Sequence, residues 1–196
     1  MEAFKTEKRK QKIISVAHAR QKSLRIVLEN IHDPHNVSAI FRTCDAVGVP
    51  KVSLLYTVEK FPRIGKKSSA SAFKWVEKDK FKSIEACYET LHAEGFSIFA
   101  SSICDDAVSL YDLDLTKKVA IVLGNEHRGV SEEAVKLADK KFLIPMCGMV
   151  QSLNVSVASA VVLYEAFRQR LKKKMYEKTE YSSEEMEELL QSWYKR

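Results

Sequence analysis

The 196-residue chain has only six glycines, at positions 48, 65, 95, 124, 129 and 148, and no two of them stand one residue apart. The G-x-G-x-x-G turn that seats a pyrophosphate on a helix N-terminus is therefore absent throughout. A phosphate-binding loop is almost spelled at Gly124-Asn125-Glu126-His127-Arg128-Gly129-Val130-Ser131, but Val130 stands where a lysine is required. A nucleotide hydrolase built on that loop fails for want of its cation. The four cysteines, Cys44, Cys87, Cys104 and Cys147, never come as C-x-x-C, and each sits in or beside an apolar segment. They read as free core thiols of a reducing compartment. His18, His32, His35, His92 and His127 are scattered, and no Cys or carboxylate set completes a site around His32 and His35, so no metal is expected. No run approaches the roughly 18 to 20 apolar residues of a membrane span, and the basic stretch from Met1 to Lys12 has no apolar segment behind it. A cytoplasmic protein without membrane contact is expected.

What is present is a 45% hydrophobic chain with 32 Lys+Arg against 26 Asp+Glu, a net charge of +6. That composition fits one compact domain with short appendages. Residues 1–22 form a basic segment with a thin apolar stripe of Phe4, Ile13, Ile14 and Ala17, which predicts a helix docked by one face. Residues 23–172 form the core, and residues 173–196 a helical extension. In that extension Ser182 and Glu185 make a capping box before Met186, Leu189, Leu190 and Trp193. Arg168, Arg170, Lys172, Lys173 and Lys174 precede it, and composition leaves a solvated face and a polyanion-binding surface equally open.

Within the core, apolar runs alternate with helical patterns. Strands are predicted at Arg25–Ile31, Lys51–Tyr56, Phe96–Ser101, Lys118–Leu123 and Lys141–Pro145. Helices are predicted at Asn36–Val47 closed by Gly48, at Phe81–Glu94, from the Ser131 cap to Ala138, and at Ser152–Lys172. Such alternation means an α/β fold with a mainly parallel, Rossmann-like sheet, whose ligands bind beyond the carboxyl ends of the strands.

Three segments just after strands are unusual. In His32 to Thr43, Asn36 stands at the expected helix cap and Arg42 lies six residues on, about 240° beyond a full turn and only partly away from the apolar stripe. In Gly124 to Gly129, a glycine directly after a buried strand lets a ligand approach the backbone, and Glu126 is placed to bind a ligand or to hold Arg42 or Arg128. In Ile144 to Ala160, Ser152, Asn154, Ser156 and Ser159 stand among small apolar residues at a helix start, where free N–H groups can meet a ligand.

Together the three segments resemble the SpoU/TrmH branch of the SPOUT RNA methyltransferases. The match lies in N-x-x-A-I-x-R-T at Asn36 to Thr43, the strand with G-N-E-x-x-G at Val119 to Gly129, and I-P-M-x-G-x-x-x-S-L-N-V-S-x-A at Ile144 to Ala158. The resemblance implies a C-terminal trefoil knot, S-adenosylmethionine bound in it, transfer to an RNA ribose 2′-hydroxyl, and a homodimer with the active site at the subunit interface. It places cofactor contacts at Ser101, Leu123, Gly124, Ile144, Met146 and Leu153, and catalysis on Arg42 with Asn36, Glu126, Ser152 and Asn154. A guanidinium stays protonated, so Arg42 is expected to grip the phosphate beside the target ribose and stabilise the developing alkoxide rather than act as a base.

Ribosomal RNA methylators of this branch typically carry a large extra N-terminal domain, whereas only residues 1–22 precede the core here. The smallest members, acting on a tRNA wobble nucleotide, lack substantial terminal helices. Having both terminal helices, the chain resembles the enzymes that methylate guanosine 18 in the tRNA D-loop, with Arg9, Lys12, Arg20 and Arg168 as expected phosphate contacts. The alternatives are ribosomal RNA or the wobble nucleotide as substrate, and, in a different class, a non-catalytic RNA-binding module with the same fold.

Overall fold

A computed structural model of the protein describes residues 6–62 and 72–196; Phe4 of the expected N-terminal stripe lies outside them. Seven strands, β1 (Leu24–Glu29), β2 (Lys51–Leu55), β3 (Glu77–Phe81), β4 (Ser97–Ser101), β5 (Val108–Ser109), β6 (Val119–Leu123) and β7 (Lys140–Leu143), form one sheet in the order β3-β2-β1-β6-β4-β7-β5. Every pairing is parallel. The two central strands, β1 and β6, are buried along their whole length, as strands covered on both faces must be. Leu24, Ile26, Leu28, Val119, Ile121 and Leu123 point into one core layer with α2 (Pro34–Val47) and α5 (Val155–Lys172). Val27, Ala120 and Val122 point into the other, with α3 (Ile84–Ala93) and α4 (Glu132–Leu137).

The sequence reading missed β3 and β5 and misplaced three helix starts. β3 is EKDKF on the sheet edge, where charged residues protect against further strand pairing and no apolar alternation marks the strand. Phe81 belongs to that strand, and α3 begins at Ile84 under a Ser83 cap. α2 is capped by Asp33 with Pro34 in its first turn, so Asn36 is a helical residue rather than the cap. α5 is capped by Asn154, and Ser152 lies outside it.

Two buried arginines tie the termini to the core. α1 (Glu7–His18) and α6 (Ser183–Tyr194) bury Ile13, Ala17, Met186 and Trp193 against one another and Trp75. Arg20 is 0% exposed; it pairs with the Asp45 carboxylate, donates to the carbonyls of Asp45, Val49 and Trp75, and lies 5.2 Å from the Trp193 ring. No phosphate reaches a guanidinium so enclosed, which corrects its place among the expected RNA contacts. Arg170, also 0% exposed, donates to the carbonyls of Leu115, Ser23 and Lys117 and to the side chains of Gln21 and Ser23. The thiols also divide. Cys44 and Cys87 are buried, with burial pushing the Cys87 thiol up to about 12, whereas Cys104 is half-buried and Cys147 exposed, so only the first two are core thiols. No described helix is long and apolar enough to cross a membrane.

Candidate active site

The in-register pairing Leu28↔Leu123 ends β1 and β6 side by side, so the segments that follow them meet above the sheet. Beside them, past the ends of β4 and β7, lies a cavity of about 440 Å³. Ser101, Leu123, Gly124, Ile144, Met146 and Leu153 all line it, as do Glu126 and Ser152. Its volume is that of a small-molecule site.

Gly124 has a different reason from the one its position suggested. A Cβ there would lie 2.0 Å from the Gly129 carbonyl carbon, because the loop folds back through paired 2.9 Å bonds between Asn125 and Gly129. The close neighbour is the chain's own backbone, and Gly129 takes φ +69° to complete the turn. Asn125 then anchors the loop: its Nδ2 donates to Asn30 O at 2.7 Å, and its Oδ1 accepts from the N–H groups of His127 and Arg128. Asn30, at φ +50°, accepts through Oδ1 from the N–H groups of Thr57, Val58 and Glu59. Sequence reasoning gave Asn30 no role, since an isolated Asn at a strand end is an ordinary turn residue; its left-handed backbone is the distinguishing feature.

Glu126 organises the next layer. It accepts from Asn36 Nδ2 at 2.8 Å and from the N–H groups of His32 and Asp33 at 3.0 and 3.2 Å. Asn36 Oδ1 accepts from Asn154 Nδ2 at 3.2 Å, and Asn154 Oδ1 accepts from Ser156 N and Val157 N at the start of α5. One chain of hydrogen bonds thus joins the loop after β6 to both helix starts. Burial alone would raise the Glu126 pKa, but the bonds from Asn36 and the backbone outweigh it and hold the carboxyl below its ordinary value. Glu126 does not hold Arg42 or Arg128; Arg128 pairs with Glu59 at 2.8 Å.

Because the Glu126 pKa is lower in the fold than in the unfolded chain, its bonds stabilise at neutral pH and are lost as pH falls through the folded value. Glu126→Gln is expected to cost about 1–3 kcal/mol near neutrality, since its amide sets donors against backbone donors. The gap to wild type should narrow in acid, as followed by urea unfolding across pH; a constant gap would contradict the assignment.

Arg42 stands apart. It is exposed on α2 and makes no hydrogen bond or ion pair with a described residue. A single chain therefore gathers Asn36, Glu126 and Asn154, with Ser152 on the same cavity, but leaves Arg42 outside. Of the expected RNA contacts, Arg9 and Lys12 are exposed on α1, whereas Arg168 is exposed but pairs with Glu165 at 2.8 Å.

Known proteins share this arrangement of elements. The chain is 42% identical to the tRNA (guanosine(18)-2′-O)-methyltransferase of Thermus thermophilus, over 98% of both chains. The crystal structure of the A. aeolicus TrmH/SpoU tRNA modifying enzyme superposes with a TM-score of 0.90 at 41% identity, covering 96% of each chain. A structure described for 2-OH methylation of C/U34 on tRNA gives 0.68 at 30% identity, covering 76% of this chain and 97% of that one. The model of the SpoU rRNA Methylase family matches residues 23–164, a span holding the whole parallel sheet and the Glu126–Asn36–Asn154 relay, and the chain belongs to that family.

Proposed function

We propose that this protein transfers the methyl group of S-adenosylmethionine to the ribose 2′-oxygen of guanosine 18 in tRNA. The observation that carries this reading is the 42% identity, over 98% of both chains, to an enzyme named for that reaction. The cavity fits the cofactor. Leu123, Ile144, Leu153 and Val155 offer apolar surface for an adenine, and the loops at the strand ends bring backbone groups to the same space. The cofactor carries no pyrophosphate, which accounts for a nucleotide-type site without a glycine fingerprint. By its position in the family, the segment from Ile144 to Asn154 threads as a trefoil knot around that space.

S-adenosylmethionine supplies a methyl group already activated by a positively charged sulfur. What remains for the chain is to place the 2′-oxygen in line and ease loss of its proton. Glu126, which accepts three hydrogen bonds and is held ionised, is an anchor and not the base. It fixes the Asn36 amide, and Asn36 with Asn154 fixes the start of α5 beside Ser152 and the cavity. Arg42 grips the phosphate next to the target ribose and stabilises the developing alkoxide, while the proton leaves to water. Since Arg42 lies outside its own chain's relay, we assign it to the active site of a second copy. Val157, Tyr164 and Leu171, exposed at i, i+7 and i+14 on α5, are the kind of exposed apolar stripe along which two copies pack. Sedimentation should find a dimer, and a fully active monomer would contradict it.

A cytoplasmic location and free tRNA as partner go with this reading. A wobble-nucleotide substrate fits less well, because nearly a quarter of this chain has no counterpart in the C/U34 structure. A binding module has no use for Arg42, Asn36, Glu126, Ser152 and Asn154 together. Labelled-methyl transfer to unmodified total RNA, with mapping of the methylated ribose, should place the label on guanosine 18 of tRNA. Label on ribosomal RNA or at the wobble position would reassign the substrate, and RNA binding without transfer would favour the module.

A further inference from the structure

A second cavity, of about 220 Å³, lies between the terminal helices. Arg9, Lys12, Ile13 and Val16, spaced i, i+3, i+4, i+7 on one face of α1, form one wall; Trp75 and Trp193 stand opposite, and Asp45 from the last turn of α2 closes it. Asp45 is nine residues beyond Asn36, or about 14 Å along the helix axis, so this cavity is separate from the one beside Glu126.

Its chemistry is specific. Trp75, half-buried, meets Trp193 edge-on at 5.2 Å and offers a flat apolar surface. Arg9 and Lys12 are exposed at the rim, and neither side chain has an ion pair or hydrogen bond with a described residue. Asp45 gives Oδ1 to Arg20, and its Oδ2 has no hydrogen bond among the described residues. Trp193, 2% exposed, has a buried Nε1 donor without a hydrogen-bond partner among the described residues. An occupant should therefore be planar, carry anionic charge for the rim, and donate hydrogen bonds to a carboxylate. Among nucleobases guanine alone presents two adjacent donors, N1–H and N2–H₂, beside a carbonyl; uracil offers one donor between two carbonyls that a carboxylate repels.

We propose that this cavity is a second nucleotide site that takes an unstacked guanine of the RNA, its base against Trp75, its donor edge on Asp45, and its flanking phosphates on Arg9 and Lys12. The assignment rests on the RNA-substrate reading above and adds a nucleotide other than the one methylated. It gives the basic N-terminal helix a base to hold, not only phosphates.

Trp75 and Trp193 are the chain's two tryptophans, so indole emission reports on this cavity. The full-length protein, saturated with S-adenosylhomocysteine to fill the cofactor site, is titrated with guanosine 5′-monophosphate, uridine 5′-monophosphate and ribose 5-phosphate. Saturable quenching is expected for the guanine nucleotide, with Kd on the order of 1 mM, and at least about tenfold weaker binding for the other two. The double variant Arg9→Ala, Lys12→Ala, which removes only exposed side chains, should raise KM for tRNA by about tenfold with kcat unchanged. No quenching by the guanine nucleotide, or equal quenching by ribose 5-phosphate, overturns the site. Methyl transfer to tRNA by the same preparation separates the two readings. Transfer without quenching removes the second site and leaves the function, whereas quenching without transfer to any RNA removes the function and leaves a guanine-nucleotide site.

Discussion

Arg42→Ala is expected to lower kcat by about 10²- to 10³-fold, while folding and cofactor binding stay as they are. The first half follows from the role assigned to the guanidinium: it meets charge that develops on the 2′-oxygen, and an interaction realised mainly in the transition state appears in kcat. The second half follows from its surroundings. The side chain is exposed and holds no described residue, so its removal leaves no cavity and no orphaned partner. Arg42→Lys separates charge from shape, because lysine keeps the cation but loses the planar fork that grips a phosphate at two points. Turnover within about threefold of wild type in the lysine variant would contradict the two-point grip. Mixing Arg42→Ala subunits with subunits inactivated at Asn36 tests the shared site: partial recovery of activity is expected if one copy completes the other, and none if each chain works alone.

The largest loss of stability is expected two residues from a change that costs almost nothing. Arg170→Ala should destabilise by about 3–5 kcal/mol, and Arg168→Ala by no more than about 0.5 kcal/mol. Arg170 is 0% exposed, with Glu180 at 3.7 Å, and it satisfies the carbonyls of Leu115, Ser23 and Lys117. Those carbonyls belong to the approach to β1 and the turn into β6; removing the guanidinium takes the partner from the Leu115 and Lys117 carbonyls where β6 begins, while Ser23 O keeps its bond from Val119 N. Arg168 points outward, with 64% of its side chain exposed, and among the described residues pairs only with Glu165 one turn back, whose carboxylate keeps a bond from Gln169 Nε2 without it. For a chain of this length the first change corresponds to a fall in Tm on the order of 10 °C and the second to about 1 °C. Similar melting curves for the two variants would contradict the partition. The basic run that looks uniform in sequence is thus two kinds of residue, one structural and one at the surface.

Legibility followed periodicity and local chemistry. β1, β2, β4, β6 and β7 were readable because apolar runs bounded by turns need no partner to be recognised, and the α6 capping box and the Gly48 stop were readable because both act within a few residues. β3 was not, since a charged edge strand owes its conformation to β2 beside it. The α2 cap departs from the expected one for a local reason: Asp33-Pro34 is a stronger helix start than Asn36, since Asp33 caps through its side chain and Pro34 presets the first turn.

The candidate site divides the same way. The family resemblance of three separate segments marked Asn36, Glu126 and Asn154 as related, but nothing along the chain says that one amide bonds the carboxylate and the next bonds that amide. Nor could composition tell buried arginine from exposed. Arg9, Lys12, Arg20, Arg168 and Arg170 contribute alike to a net charge of +6, while the fold encloses Arg20 and Arg170 and presents Arg9, Lys12 and Arg168 to solvent. By itself the sequence determined the alternating α/β order and the three segments that meet beyond the strands, because both are written in short-range pattern. The tertiary structure alone decided which glycine is filled by backbone, which cations remain free to meet an anion, and that the two tryptophans, far apart in the chain, face one cavity. Those outcomes depend on what packs against each residue, and packing joins positions that no local period connects.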